Sequence, residues 1–267
     1  MNASNRSGTA LVTGASTGIG ATYADRLAHR GYDLILVARD GSRLEAVASS
    51  LRQSVGISVE IIIADLTVSS DLLTIEQRLR EDRAITLLVN NAGMATTGGL
   101  LEAYIGRVET MIQLNVVAVT RLAAAAASGF AARGRGIIVN IASVLALAPE
   151  VFNGPYSGTK AYVLNLTQAM HEELAKHGVQ VQAVLPGATR TEIWERAGKD
   201  IATLPASMLI EPGEMVDAAL VGLDRGELIT IPSLPDSADW DAFTAARLRL
   251  GPNLSRDHAA ERYRVPA

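Results

Sequence analysis

Short apolar runs alternate with longer stretches of helical period along most of this chain. Strands are predicted at residues 9–13, 33–38, 59–64, 86–90, 136–141, 180–185 and 228–231. Between them, apolar positions three and four apart predict helices over 19–29, 42–54, 69–81, 103–131, 156–176 and 214–224. Several strands are apolar at successive positions, as in Leu34-Ile35-Leu36-Val37 and Ile61-Ile62-Ile63. Continuous apolar character implies burial on both faces, the environment of a parallel sheet covered by helices. The βαβ order therefore predicts an α/β fold: a doubly wound, Rossmann-type domain with a mostly parallel sheet of seven strands.

No linker rich in proline, serine or glycine divides the chain, so residues 1–267 are read as one domain. Two stretches break the rhythm. Residues 188–210 are too long for an ordinary connection and carry Trp194, Pro205, Met208 and Leu209, which suits a substrate-binding lid. Residues 233–267 form a C-terminal extension with Trp240, Phe243, Leu248 and Leu250 at near-helical spacing. It is expected to pack across the domain or against a second subunit.

Composition narrows the function classes. At 48% apolar, 267 residues can bury a sizeable core. The net charge of −4 comes without a long run of either sign, which argues against nucleic acid or an anionic membrane as the main partner. The absence of cysteine excludes disulfides, thiolate nucleophiles and thiolate metal sites. The four histidines do not cluster, so no metal is expected. Apolar runs such as 122–127 fall short of the ~20 residues a spanning helix needs, and the polar first eight residues carry no apolar core of a signal peptide. A soluble, cytoplasmic protein is expected.

Two patterns carry chemistry. Thr13-Gly14-Ala15-Ser16-Thr17-Gly18-Ile19-Gly20 lies between the first strand and the first helix. Glycines there allow a sharp turn and close backbone approach to a pyrophosphate, and the free amides of the helix start attract an anion. The second strand ends Val37-Ala38-Arg39-Asp40. Ala38 stands where an acid would hold an NAD ribose, and Arg39 beside it suits a 2′-phosphate, so NADP(H) is preferred over NAD(H). The alternative is that Asp40 takes the acid's role. The second pattern is Tyr156 with Lys160, one turn apart on a helix face. A nearby ammonium favours the phenolate and brings a weak acid toward the working range.

With Asp65, Asn90-Asn91-Ala92-Gly93, Asn115, Ser143 and Pro186-Gly187 with Thr191 in order after the glycine turn, the chain resembles the short-chain dehydrogenase/reductase family from Thr9 to about Ile231. The resemblance implies a catalytic set of Asn115, Ser143, Tyr156 and Lys160. In it Ser143 holds the substrate oxygen, Tyr156 moves the proton, Lys160 tunes the phenol and binds the nicotinamide ribose, and Asn115 holds a water. Asn115 could equally bend its helix or bond within the core, and Asp65 could cap a turn. The implied cofactor residues are Gly14, Ser16, Thr17, Gly18, Ile19, Gly20, Arg39, Asp65, Leu66, Asn91, Ala92, Gly93, Tyr156, Lys160, Pro186, Gly187, Thr189 and Thr191.

The implied activity is reversible hydride transfer between a nicotinamide and a carbonyl/alcohol pair on a small molecule. Apolar residues at 144–148, 151 and 152 and in the lid favour an apolar ketone or aldehyde. The rivals are a 3-oxoacyl reductase and a catalytically silent dinucleotide sensor. The resemblance also implies a homodimer or homotetramer built on the helices at 103–131 and 156–176.

Overall fold

The structure is a computed structural model and describes residues 7–264. The chain divides between Pro232 and Ser233 into two compact units. The first holds a seven-stranded, wholly parallel sheet: β1 (Thr9–Thr13), β2 (Asp33–Ala38), β3 (Val59–Ile63), β4 (Ile85–Asn90), β5 (Gly136–Ile141), β6 (Val179–Val184) and β7 (Ile229–Thr230). Their order is β3-β2-β1-β4-β5-β6-β7. Strand order reverses between β1 and β4, and that switch point opens a crevice at the carboxyl ends of the strands.

Both faces of the sheet are buried, as the unbroken apolar runs require. Ala10, Val12, Leu34 and Leu36 point into one core with Tyr23 and Leu27 of α1 (Gly18–His29), Leu44 of α2 (Gly41–Ser54) and Met215 and Leu220 of the later helix Pro212–Asp224. Leu11, Ile35 and Val37 point into the other. They meet Leu72, Ile75 and Leu79 of α3 (Ser69–Glu81) and Leu122, Ala126 and Phe130 of the long helix after β4. Each fully buried Leu or Ile contributes about 1.5–3 kcal/mol.

The helix expected over 103–131 is not one regular helix. It runs as α4 (Ile105–Ile112), a wider π segment (Gln113–Ala118) and α5 (Val119–Arg133), ending at Gly134 with φ +67°. The 29 residues from Ile105 to Arg133 are long and apolar enough to cross a membrane, with a mean hydropathy of 1.4 over an 18-residue window. Their alanines Ala123, Ala125 and Ala126 are buried in the second core, which accounts for that composition. The helix α6 (Gly154–Leu174) begins two residues before the expected start, because Asn153 caps it.

After β6 the lid folds as a short helix α7 (Ile193–Arg196) and two 3₁₀ turns, Ile201–Thr203 and Ala206–Met208, before α8 (Pro212–Asp224). A bridge between Thr189 and Ile210 draws its ends together. In the second unit, α9 (Ser237–Leu248) is capped by Asp236, whose carboxylate accepts from the Ala238 amide at 2.9 Å. Trp240 and Phe243 lie 5.4 Å apart on it.

Candidate active site

The turn after β1 is held by contacts that leave no room for side chains. Gly14 and Gly18 have φ of +66° and +54°, where a side chain is strained. A Cβ on Gly20 would stand 2.2 Å from the Gly14 carbonyl oxygen, and one on Gly14 would stand 2.8 Å from Asn91 Nδ2. The Gly14 amide donates to the Val37 carbonyl at 2.8 Å, tying the turn to the end of β2. Asn91 Nδ2 donates to the Thr13 and Gly14 carbonyls at 2.9 and 3.2 Å, and the Asn91 and Ala92 amides both donate to Thr13 Oγ1 at 3.0 Å. The Asn91 side chain therefore braces the turn.

A dinucleotide fits the residues present. Thr17, at the N-cap of α1, makes no side-chain bond to the helix, which leaves first-turn amides for a phosphate. Ser16 is half-buried beside it, and Ile19 packs its side chain on the core below. Arg39 and Asp65 face each other across the ends of β2 and β3 at 3.5 Å, with Arg39 71% exposed and free to turn toward a ligand. Asp65 also accepts from the Thr67 amide and hydroxyl, at 2.9 and 2.7 Å, so it caps its own turn as well. Leu66 is buried in the second core and offers only backbone to a ligand. Asp40 is spent otherwise: it caps α2 through Arg43 N at 3.0 Å and accepts from Ser42 Oγ at 2.7 Å.

At the other end of the crevice, Ser143 follows β5 and Tyr156 sits in the first turn of α6. Asn153 Oδ1 accepts from the Tyr156 amide at 2.8 Å, while its amide donates to the Thr96 carbonyl, so one buried side chain fixes the start of α6. The Ser143 hydroxyl stands beside the Tyr156 phenol and favours its ionised form, and it accepts from the Leu145 amide at 3.2 Å. Lys160 is buried, 5.8 Å from the Tyr156 ring centre, and donates to the Ile141 carbonyl at 2.9 Å. Its other two N–H groups remain for a ribose.

Asn115 lies in the π segment, a helix variant that recurs at functional sites. Its Oδ1 accepts from the Met94 amide at 3.0 Å, and its Nδ2 donates to the Met94 carbonyl at 2.9 Å and Thr159 Oγ1 at 3.1 Å. Thr159 in turn donates to the Tyr156 carbonyl at 2.8 Å. Gly93 stands alongside: a Cβ there would lie 3.3 Å from Asn115 Oδ1 and 3.6 Å from Lys160 Nζ.

Electrostatics departs from the sequence-based expectation. Burial pushes the Tyr156 phenol up to about 12, opposed only by the Ser143 hydrogen bond. Burial also pushes Lys160 down to about 8. Desolvation, rather than attraction between the two groups, sets both values. A phenol held this high keeps its proton and suits the acid that protonates a forming alkoxide.

Beyond β6, the Pro186 carbonyl accepts from the Val144 amide at 3.1 Å, and the Gly187 carbonyl accepts from the Thr189 hydroxyl at 3.2 Å. The Thr189 carbonyl accepts from the Trp194 indole at 2.8 Å. Thr191 lies against Gly18, where a Cβ would meet its Cγ2 at 3.0 Å. Over Tyr156 the lid residues Ile193 and Ala197 pack with Phe152, Leu145 and Met111. Sequence reasoning missed Asn153, Thr159 and the Arg43–Glu192 pair at 2.7 Å. Only Asn153 left a signal, a capping residue type just before Gly154-Pro155.

Residues 8–202 match the short chain dehydrogenase family. The chain belongs to that family. It is accordingly an NAD(P)-dependent dehydrogenase/reductase, which removes the silent sensor from consideration. A short-chain dehydrogenase from Sphingobium yanoikuyae, solved in complex with NADPH, is 54% identical, with a TM-score of 0.94 over 96% of this chain and 100% of that one. A bulky-bulky ketone specific alcohol dehydrogenase from Comamonas testosteroni is 47% identical, with a TM-score of 0.89 over 96% of this chain and 98% of that one. An uncharacterized oxidoreductase from Staphylococcus saprophyticus is 30% identical over 83% of this chain and 93% of its own length.

Proposed function

We propose that the protein is an NADP(H)-dependent carbonyl reductase and alcohol dehydrogenase for bulky apolar ketones or aldehydes, with Tyr156 as the general acid and base. The observation that carries this reading is the buried Tyr156 phenol beside Ser143, with the buried Lys160 ammonium 5.8 Å from its ring centre. The nicotinamide, when bound, supplies or accepts the hydride. Gly14, Ser16, Thr17, Gly18, Ile19 and Gly20 would hold the pyrophosphate with Thr191. Arg39 would take a 2′-phosphate and Asp65 the adenine, while backbone at Leu66, Ala92 and Gly93 lines the nucleosides. Lys160 would hold the nicotinamide ribose, and Pro186, Gly187 and Thr189 its carboxamide.

The chain's own groups do the rest. Ser143 Oγ holds and polarises the substrate oxygen, and Tyr156 Oη delivers its proton as negative charge develops there. Lys160 provides a positive charge close to the phenol, and Asn115 holds the loop at Met94 and the catalytic helix in one geometry. Preference for NADP(H) rests on Arg39 and on the commitment of Asp40 to its helix cap, and it accords with the NADPH complex of the Sphingobium relative. The apolar wall of Leu145, Phe152, Ile193 and Trp194 supports a bulky apolar substrate, in line with the Comamonas relative. A cytoplasmic location and a homodimer or homotetramer complete the proposal.

The test is a titration with NADPH and NADH followed by turnover of bulky ketones. Tyr156→Phe should lower kcat by a factor of about 10²–10⁴ while cofactor binding persists. Near-normal turnover in that variant would remove Tyr156 from the mechanism. Tighter NADH binding would sink the Arg39 reading, and a preference for 3-oxoacyl thioesters would replace the substrate class.

A further inference from the structure

Among the charged groups of the lid, Lys199 is set apart by what it touches. Its ammonium lies 5.1 Å from the Phe152 ring centre and 5.9 Å from that of Trp194, and the residue is half-buried. Among the described residues no carboxylate pairs with it. Of the acids nearby in sequence, Glu192 is engaged with Arg43 and Arg196, Glu211 with Arg190, and Asp200 with the Ala202 amide, while Glu195 is exposed and forms no ion pair with Lys199. Two aromatic faces attract a cation but do not neutralise it. The result is an unspent positive charge in a partly dry place.

That charge sits at the end of the wall that leads to the reacting group. Phe152 packs edge-on against Tyr156 with ring centres 5.7 Å apart, and against Trp194 at 6.3 Å. A substrate with its carbonyl oxygen at Tyr156 and Ser143 would lay its apolar body along Phe152. Its far end would then approach Lys199, whose ammonium lies 5.1 Å from the centre of the Phe152 ring. We propose that Lys199 is a specificity-determining residue that selects carbonyl substrates with an apolar body and a carboxylate at the end remote from the carbonyl. This rests on the carbonyl-reduction reading and narrows its substrate class to apolar oxo acids and the matching hydroxy acids.

The test compares para-acetylbenzoate with its methyl ester on the full chain saturated with NADPH, in the native protein and in Lys199→Gln and Lys199→Arg. Two readouts are taken: kcat/KM, and the Kd of each ligand from quenching of tryptophan fluorescence, which needs no turnover. The acid-to-ester preference should fall about tenfold in Lys199→Gln, through KM rather than kcat, and survive in Lys199→Arg, as loss of one charge-assisted contact requires. An unchanged ratio in Lys199→Gln, including one in which both ligands weaken together, would overturn the assignment and reduce Lys199 to lid packing. If neither compound is turned over by the native protein, carbonyl reduction is what fails. The Kd ratio still decides Lys199 by the same criterion.

Discussion

The turn after β1 and the lid after β6 face each other across the crevice, with Thr191 resting on Gly18, yet they are held in opposite ways. The turn is fixed by backbone: amide-to-carbonyl bonds to Val37, the Asn91 brace, and glycines whose missing Cβ atoms are the condition for the packing. The lid's two ends are joined by backbone at the Thr189–Ile210 bridge, but its middle is fixed by side chains. Arg43 and Arg196 pair with Glu192, the Thr97 hydroxyl donates to the Ala197 carbonyl at 2.7 Å, and Arg107 donates to the Arg196 carbonyl at 3.0 Å. A backbone lock holds one shape and tolerates no substitution. Exposed side-chain bonds are individually weak and can be exchanged. The part that would meet a constant cofactor is therefore rigid, and the part that would meet a variable substrate is adjustable.

Breaking the turn should have the largest effect. Gly20→Ala forces a methyl group to 2.2 Å from the Gly14 carbonyl. The expected cost is about 3 kcal/mol in urea unfolding, with weakened NADPH binding. A variant of native stability and affinity would show that the turn yields as easily as the lid.

The helix α6, which carries Tyr156 and Lys160, gives the next effect. The Lys160 pKa is pushed from its ordinary 10.5 to about 8. Between those values the folded protein has released a proton that the unfolded chain still holds, so stability rises as pH climbs through the window. From about pH 7 to about pH 9.5 this contributes about 2 kcal/mol to the native protein. The contribution should vanish in Lys160→Met, measured by urea unfolding at both pH values. Equal pH dependence in the two proteins would mean that the ammonium is well solvated.

Arg39→Gln should weaken NADPH binding about tenfold and leave NADH unchanged, by fluorescence titration, since one charge-assisted contact is lost. The smallest effect is expected at the lid. Glu192→Gln breaks exposed ion pairs and should cost less than about 1 kcal/mol, a difference that shrinks in about 1 M salt. A larger loss would show that the lid is locked as firmly as the turn.

What could be read in the chain follows from the range of the forces involved. Strand positions, both buried faces, the glycine turn and the Tyr156–Lys160 spacing depend on residues near in sequence, and the helix boundaries came out within a few residues. At Asn115 the sequence left a bend or a core bond open beside a catalytic role, and the bonds it makes could not be named, because Met94 and Thr159 reach the side chain from 21 and 44 residues away. Nor could the direction of the Tyr156 shift. Spacing showed that an ammonium is near, but desolvation depends on the lid residues and on Phe152 packed over the ring.

The sequence by itself determined the parallel sheet, the glycine turn after β1 and the placing of Tyr156 and Lys160 one turn apart, because local periodicity, glycine's conformational range and one helical turn are enough to specify them. Only the tertiary structure decided that Asn91 and Asp40 are committed to bracing and capping, that burial governs the pKa values of Tyr156 and Lys160, and that Lys199 rests on Phe152 and Trp194 with no carboxylate partner among the described residues. Partner choice and solvent exclusion are set by groups distant in sequence, and they exist only once the sheet has brought those groups together.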